Sequence, residues 1–150
     1  MRVNWRLLGA LLAVAASAGC GATDMYLRGV RPLNLNSRGE STPVIVRVYR
    51  LSDAQAFSNA TLEQLWVNND MVKHVMIGER IEQTVLPGPE NGPTTHVDLG
   101  DLPGSAFVGI IALYGKEHET EGPWRLVLKR DEAKGITIEL REYKIQKSAN

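Results

Sequence analysis

The sequence predicts an all-β domain with a small helical addition, organised as a β-sandwich of seven to eight strands plus one short helix. Seven short runs rich in β-branched and aromatic residues are separated by turn-forming residues, a spacing that is typical of sandwiches. All seven prolines lie between these runs or at their ends, where a missing N–H group does least harm to a sheet. One stretch only carries a strong helical repeat of apolar residues.

The predicted strands differ in how their apolar residues are arranged. They cover residues 25–31, 44–51, 79–86, 94–99, 107–114, 124–130 and 136–145. Run 107–114 is apolar almost throughout, which favours a central strand covered on both faces. Run 124–130 alternates from Trp124 onwards, which predicts one core face and one mostly wet face. In the last run the apolar parity changes, which indicates either a bulge near Arg141 or Glu142 or a strand end that buries both faces.

The predicted helix lies between the second and third strands. Phe57, Thr61 and Leu65 step by four residues, and Leu62 and Trp66 lie beside them. Thr61 and Gln64 have the spacing of a capping box, and the polar run 68–70 ends the segment. We therefore expect a short amphipathic helix that packs as a cover on the sheet.

The N-terminus has the features of an export signal. A short basic segment, residues 1–6, precedes an apolar run, residues 7–18, which is shorter than the roughly 20 residues of a membrane-spanning helix. Small residues, Ser17 to Gly19, stand directly before Cys20 and resemble a lipobox, with Ser17 where leucine is usual. We predict a signal peptide at 1–19, a lipidated tether at 20–24 and the sandwich at 25–150. The alternatives are an ordinary cleaved signal that leaves a thiol and, less plausibly, a buried helix.

Charge and cysteine content exclude several classes of protein. The chain carries 17 Lys+Arg and 17 Asp+Glu, and loss of Arg2 and Arg6 with the signal leaves a mildly acidic remainder. Because there is no basic excess or stripe, we expect no nucleic-acid binding. Cys20 is the only cysteine, so the chain forms no internal disulfide and no cysteine metal cluster.

Residues that suggest chemistry are scattered. His74, His96 and His118 have no partner at metal-ligand spacing, and Asp98 with Asp101 fits a turn better than a calcium loop or an acid/base pair. No nucleophile or phosphate-binding motif occurs. We predict a protein that is not an enzyme, with no metal, no cofactor beyond a covalent lipid on Cys20, and no small-molecule substrate.

Four aromatic residues have two interpretations. Trp66, Trp124, Tyr49 and Tyr114 are candidates for a sugar-stacking platform, but Trp66 and Trp124 fall on the buried side of their elements. Packing is therefore the favoured interpretation.

The connection between the first two strands, residues 34–43, is polar and longer than a tight hairpin needs. It is either a solvated connector or a functional loop.

The order of these features is similar to a known family. A lipobox is followed by a strand, a polar loop ending Ser41-Thr42-Pro43, the run VIVRVYRLSD, Phe57 with a helix, an LPGP turn, and PWRLVLKR. This resembles the outer-membrane lipoproteins of type VI secretion, the TssJ (SciN-like) family, over roughly residues 33–130. The polar segment around Asn68 and the stretch 91–94 depart from the family pattern.

The resemblance implies a transthyretin-like sandwich that is anchored by acyl chains, palmitate among them, to the outer membrane and faces the periplasm. The residue after Cys20 is Gly21, not the aspartate that resembles an inner-membrane retention signal. The resemblance also implies binding to the periplasmic C-terminal domain of TssM through the first loop. The carried-over residues are Asn36, Ser37, Arg38, Gly39, Glu40, Ser41 and Thr42.

Two other functions remain open from the sequence. A lipoprotein that binds carbohydrate or peptidoglycan would expose Trp66 or Trp124. An accessory subunit or a periplasmic chaperone would present an unpaired edge strand.

Overall fold

The computed structural model describes residues 23–101, 103–115 and 124–149. In chain order the elements are β1 Asp24–Leu33, β2 Val44–Leu51, α1 Gln55–Asn59, α2 Leu62–Val67, β3 Ile81–Val85, β4 Pro87–Gly88, β5 Thr95–Asp98, β6 Phe107–Leu113, β7 Arg125–Lys129, α3 Arg130–Ala133, β8 Thr137–Glu142 and β9 Lys144–Lys147. The predicted class, a mostly β sandwich with a small helical addition, is confirmed.

The strands form two sheets that enclose the core between them. The first sheet has the order β4-β1-β8-β9, and β5 also pairs with β1, while the second has the order β3-β2-β6-β7. β1 runs parallel to β8 and antiparallel to β5. The core residues that face the other sheet include Met25 and Leu27 from β1 and Val46, Val48 and Ile110 from the second sheet, and all five are fully buried.

The second sheet also buries much of its outer face, as run 107–114 predicts. β6 lies between β2 and β7, and Phe57 of α1 covers it at Gly109. A Cβ atom on Gly109 would lie 2.6 Å from the Phe57 ring, so this close approach requires glycine.

The prediction of a single helix is wrong, because the segment forms two short helices, α1 and α2. α1 ends before Ala60, and Thr61 begins α2 as its N-cap, with Gln64 completing the capping box as predicted. The Arg125 guanidinium donates to the carbonyls of Phe57 and Ala60 (3.0 and 2.7 Å) and so satisfies the end of α1. A third short helix, α3, was not predicted.

The predicted last strand, 136–145, is also wrong in part. It is a hairpin of β8 and β9, with Arg141 opposite Lys144. Glu142 has φ +53°, which reverses the chain and explains the change of parity without a bulge. With β4, the described strands number nine, one more than the upper prediction.

Candidate functional site

The candidate loop, residues 34–43, joins β1 to β2 and closes one end of the sandwich. It leaves β1 at Leu33 and enters β2 at Val44. Leu35 and Ser41 form an isolated antiparallel bridge, so the loop continues the two strands as a narrow ribbon. The 36–40 tip projects beyond this bridge.

Asn34 fastens the base of the loop. Its side-chain amide donates to Thr42 Oγ1 at 2.8 Å and to the Pro43 carbonyl at 2.9 Å. Its Oδ1 accepts from the Gly115 amide at 2.7 Å. The residue has φ +45° and is 8% exposed. One side chain therefore holds both arms of the loop and the end of β6.

Further bonds join the base to the first sheet. Ser41 Oγ accepts from the Leu33 amide at 3.1 Å, and the Tyr143 hydroxyl, in the β8–β9 turn, donates to the Leu35 carbonyl at 3.1 Å. Tyr143 meets Tyr114 edge-on, with ring centroids 6.0 Å apart. Tyr114 itself donates to the Lys144 carbonyl at 2.7 Å, and burial raises the pKa of its phenol.

The tip of the loop is organised by its own side chains. Asn36 Oδ1 accepts from the amides of Arg38 and Glu40 at 2.9 and 3.0 Å, which is an Asx-type turn. Gly39 supplies the positive φ, +77°. The Glu40 carboxylate accepts from Asn36 Nδ2 at 2.8 Å and pairs with Arg38. The loop is thus ordered by internal contacts and has a defined shape.

The tip is exposed and has no net charge. The side chains of Arg38 and Glu40 are 77% and 59% exposed, so their ion pair adds little to folding stability. An arginine and a carboxylate held at a fixed separation can instead form charge-assisted hydrogen bonds with a partner. The arrangement suits recognition by shape and polar contacts.

The loop lies at the end of the sandwich opposite to the start of the described chain. β1 begins at Asp24 and reaches the loop at Leu33 without reversing. At about 3.3 Å per residue, this strand separates the two ends by roughly 30 Å. Thr23, just before β1, is buried and accepts from the Leu99 amide at 2.9 Å.

The other residues considered from sequence form no chemical site in the described part of the chain. His96 Nε2 lies 2.8 Å from Asp24 Oδ1. His74 stands exposed in a turn. Asp98 accepts from the Gly100 amide, and Asp101 pairs with Arg130. No group of three potential metal ligands occurs among these residues. Cys20 and His118 lie outside them.

The four aromatic residues pack rather than form a sugar platform. Tyr49, Tyr114 and Trp124 are 0%, 5% and 6% exposed. Trp66 is half-buried, with the Arg47 guanidinium 3.7 Å from its ring centre. Carbohydrate binding would need an exposed Trp66 or Trp124, but Trp124 is buried and Trp66 is half-buried.

Sequence reasoning located the loop but missed what holds it. The bond from Gly115 to Asn34 and the bond from Tyr143 to Leu35 were missed, because these pairs lie 81 and 108 residues apart in sequence. The usable signal was the asparagine at the start of the loop, since asparagine tolerates positive φ and bonds to nearby backbone.

The described part of the chain is a small β-sandwich with an ordered, exposed polar loop at one end. None of the described helices has the length and apolar composition needed to cross a membrane. Residues 22–146 match the family model described as "Type VI secretion lipoprotein, VasD, EvfM, TssJ". The chain belongs to this family of type VI secretion lipoproteins, as its sequence features predicted.

Solved structures share the fold at low identity. The TssJ1 lipoprotein of Pseudomonas aeruginosa is 21% identical, with a TM-score of 0.67 over 87% of this chain and 99% of that one. Serratia marcescens Lip, named as a membrane-bound component of the type VI secretion system, is 15% identical, with a TM-score of 0.69 over 84% and 96%. A chain in "T6SS protein TssM C-terminal domain (869-1107) from EAEC" is 22% identical, with a TM-score of 0.73 over 86% and 98%. No curated protein compared with the chain matches it significantly.

Proposed function

We propose that this lipoprotein is a non-catalytic component of a type VI secretion membrane complex. In this proposal acyl chains on Cys20 anchor it to the outer membrane, and the 34–43 loop docks the periplasmic C-terminal domain of TssM. The observation that carries the proposal is the rigid, exposed loop at the end of the sandwich opposite to the tether. Membership of the type VI lipoprotein family supports the setting.

The tether would hold the domain close to the membrane. Three residue steps lead from Cys20 to Thr23, where the chain joins the fold, and they span at most about 11 Å. β1 then carries the loop roughly 30 Å further. The loop could therefore reach at most about 40 Å from the lipid surface, where it can meet a protein that extends from the inner membrane.

The size of one similar chain supports the choice of partner. The match covers 86% of this 150-residue chain, about 130 residues, and that span is 98% of the matched chain. Residues 869–1107, named for that structure, are about 240 residues. The matched chain is therefore shorter than the named TssM domain. We infer that it is a second component of the same structure, of the size and fold of this lipoprotein.

Anchoring reduces the affinity that the loop itself must supply. Partners confined to one narrow compartment meet at a raised effective concentration. Several acyl chains hold far more firmly than one, because each buried methylene contributes about 0.8 kcal/mol.

The test measures binding of the TssM periplasmic domain from the same organism to the full-length acylated protein in detergent. Replacing Asn36 to Thr42 with a short Gly-Ser turn is expected to abolish binding. A double variant, Arg38→Glu with Glu40→Arg, retains an opposite-charge pair in the loop but reverses its direction, and we expect at least about tenfold weaker binding. Undiminished binding by both variants would place the docking site elsewhere, and no binding by the wild type would refute the proposed partner.

A further inference from the structure

The chain enters the fold between two segments at one end of the sandwich. Thr23 is 6% exposed, and its carbonyl accepts from the Leu99 amide at 2.9 Å. One residue later, the Asp24 carbonyl accepts from the Gly135 amide at 2.7 Å. Backbone bonds to both segments therefore fix the point at which β1 starts and the direction in which it leaves.

Strand register places the two segments on opposite sides of that point. β5 runs antiparallel to β1 and ends at Asp98, opposite the first residue of β1, so the segment 99–101 lies beside Thr23. β8 runs parallel to β1 and begins opposite Tyr26, so the segment 134–136 lies beside Thr23 as well. Because Tyr26 is paired with both strands, they lie on opposite edges of β1, and the entry point lies between the two segments.

Arg130 joins the two segments into one surface. Its guanidinium donates to the Gly100 carbonyl at 3.4 Å and pairs with the Asp101 carboxylate at 2.7 Å. Arg130 is also the first residue of α3, the short helix that leads into the second segment, where Lys134 and Gly135 are exposed. Asp101, Arg130, Lys134 and Gly135 are together called the tether-end surface.

A tether of this length keeps the tether-end surface beside the lipid. Cys20 is three residue steps from Thr23, a distance of at most about 11 Å, and the headgroup layer is itself roughly 5–7 Å thick. Tilting the domain within the plane of the first sheet brings one of the two segments against the headgroups, because one lies on each side of Thr23. The start of β1 is therefore held near the bilayer, and residues further along the strand lie further from it.

The chemistry of the tether-end surface fits phospholipid headgroups. Arg130 and Lys134 are cationic and Asp101 is anionic, so the surface carries both signs of charge. A zwitterionic headgroup has a phosphate and an ammonium group, which offer each sign a partner through charge-assisted hydrogen bonds. None of the four residues has a large apolar side chain, and burying their charges in hydrocarbon is unfavourable, so the contact stays at the level of the headgroups.

We propose that the tether-end surface rests on zwitterionic phospholipid headgroups and holds the sandwich upright on the membrane. This inference rests on the proposed function, from which it takes the anchor on Cys20. Lipid is the occupant because the length of the tether keeps this surface, and no other end of the domain, beside the bilayer. The inference adds an orientation to the anchor, since β1 then runs away from the membrane and not along it.

The experiment measures how far chosen positions lie from the headgroups. The full-length acylated protein is reconstituted into vesicles of phosphatidylethanolamine and phosphatidylcholine that contain an acceptor-labelled headgroup, and a fluorescent donor is attached to one introduced cysteine. Cys20 is the only natural cysteine, and lipidation blocks its thiol, so the introduced thiol alone reacts. With Lys134→Cys, we expect energy transfer to place the donor within about 11 Å of the headgroups.

Two matched variants place the donor at exposed positions near the other end of the sandwich, one on each sheet. Lys144→Cys lies on β9, level with Val30 of β1, six residues from the start of that strand. Thr84→Cys lies on β3, level with Ile45 of β2, a strand that runs back from the loop and ends six residues later. Both donors should lie about 20 Å further from the headgroups than the donor at position 134. Circular dichroism verifies that the three variants fold.

The outcomes separate this inference from the proposed function. Equal distances at the three positions, or a shorter distance at position 84 or 144, in protein that is bound to the vesicles would overturn the upright orientation and leave the anchor standing. Reaction of the donor with wild-type protein at Cys20, together with failure to bind vesicles, would refute the anchor and this inference with it. The expected order, with position 134 nearest to the headgroups, supports both.

Discussion

Replacing Asn34 with alanine tests whether one side chain organises the candidate loop. The change removes three side-chain hydrogen bonds, to Thr42, Pro43 and Gly115, each worth roughly 0.5–1.5 kcal/mol net. It also places an alanine at φ +45°, a conformation that costs an L-residue other than glycine or asparagine about 1 kcal/mol. We expect Asn34→Ala to lower the free energy of unfolding by about 3 to 4 kcal/mol.

Two companion variants divide this effect into its parts. Asn34→Gly loses the same three bonds but adopts positive φ freely, so it should cost about 1 kcal/mol less than Asn34→Ala. Asn36→Ala removes bonds at the exposed tip, where water replaces them, and should cost less than about 1 kcal/mol. Both asparagine-to-alanine variants should weaken binding of the TssM domain, because each loosens a shape that is otherwise preformed.

The measurement is urea unfolding followed by circular dichroism, with thermal unfolding as a second readout. For a domain of this size, the loss expected for Asn34→Ala lowers the Tm by about 10–15 °C. A loss below about 1 kcal/mol in Asn34→Ala would refute the assignment of Asn34 as the fastening residue. Equal stability of Asn34→Gly and Asn34→Ala would refute the contribution assigned to its backbone conformation.

Three further predictions concern the core, the pH dependence and the anchor. Gly109→Ala forces the buried Phe57 ring to move and should cost about 1–3 kcal/mol in urea unfolding, and an unchanged midpoint would contradict that packing. Burial raises the pKa of Tyr114 above its ordinary 10.0, so the folded state keeps a proton that the unfolded state releases. Stability should therefore fall as the pH rises above about 10, and less steeply in Tyr114→Phe, whereas equal slopes would exclude this group as the cause. Incorporation of a fatty-acid analogue should occur in wild type and vanish in Cys20→Ala, and equal labelling would refute the anchor.

Strands were predictable where the sequence marks both their faces and their ends. β2 matches its predicted range, residues 44–51, because Pro43 and Ser52 bracket a run of β-branched and aromatic residues. Most of the strand is buried, Ile45 being the exposed exception, although Arg47 and Arg50 interrupt its apolar run. Local chemistry was sufficient for this element.

In the helical segment the capping box was predicted correctly, but it was assigned to the middle of one helix instead of the start of a second. Thr61 and Gln64 do form a capping box, but an N-cap is by nature the start of a helix. A helix that begins at Phe57 cannot contain one in its middle. The capping box therefore indicates a break at Ala60. Because the apolar residues keep a spacing of four residues across Ala60, they suggested one continuous helix.

Long-range contacts account for the parts that no local pattern reveals. Glu142 turns the chain at φ +53° without the glycine or asparagine that usually marks a hairpin. Asn34 bonds Thr42 and Pro43 within the loop, but it holds the segment after β6 only because the fold brings Gly115 beside it. The composition of the loop predicted an exposed polar connection, whereas its attachment to the rest of the sandwich depends on Gly115 and Tyr143, which are distant in sequence.

In the function proposed above, the distance to the partner and the choice of partner depend on separate parts of this chain. The distance from Thr23 to the loop is set by the length of β1, which is fixed by its pairing with β8 and β5, and surface substitutions leave it unchanged. The choice of partner depends on the loop, which contributes few residues to the core. Changes there alter recognition at small cost to folding, as long as Asn34 keeps both arms of the loop in place. A sandwich of this kind can therefore retain one spacing from the membrane while its docking surface follows a different partner.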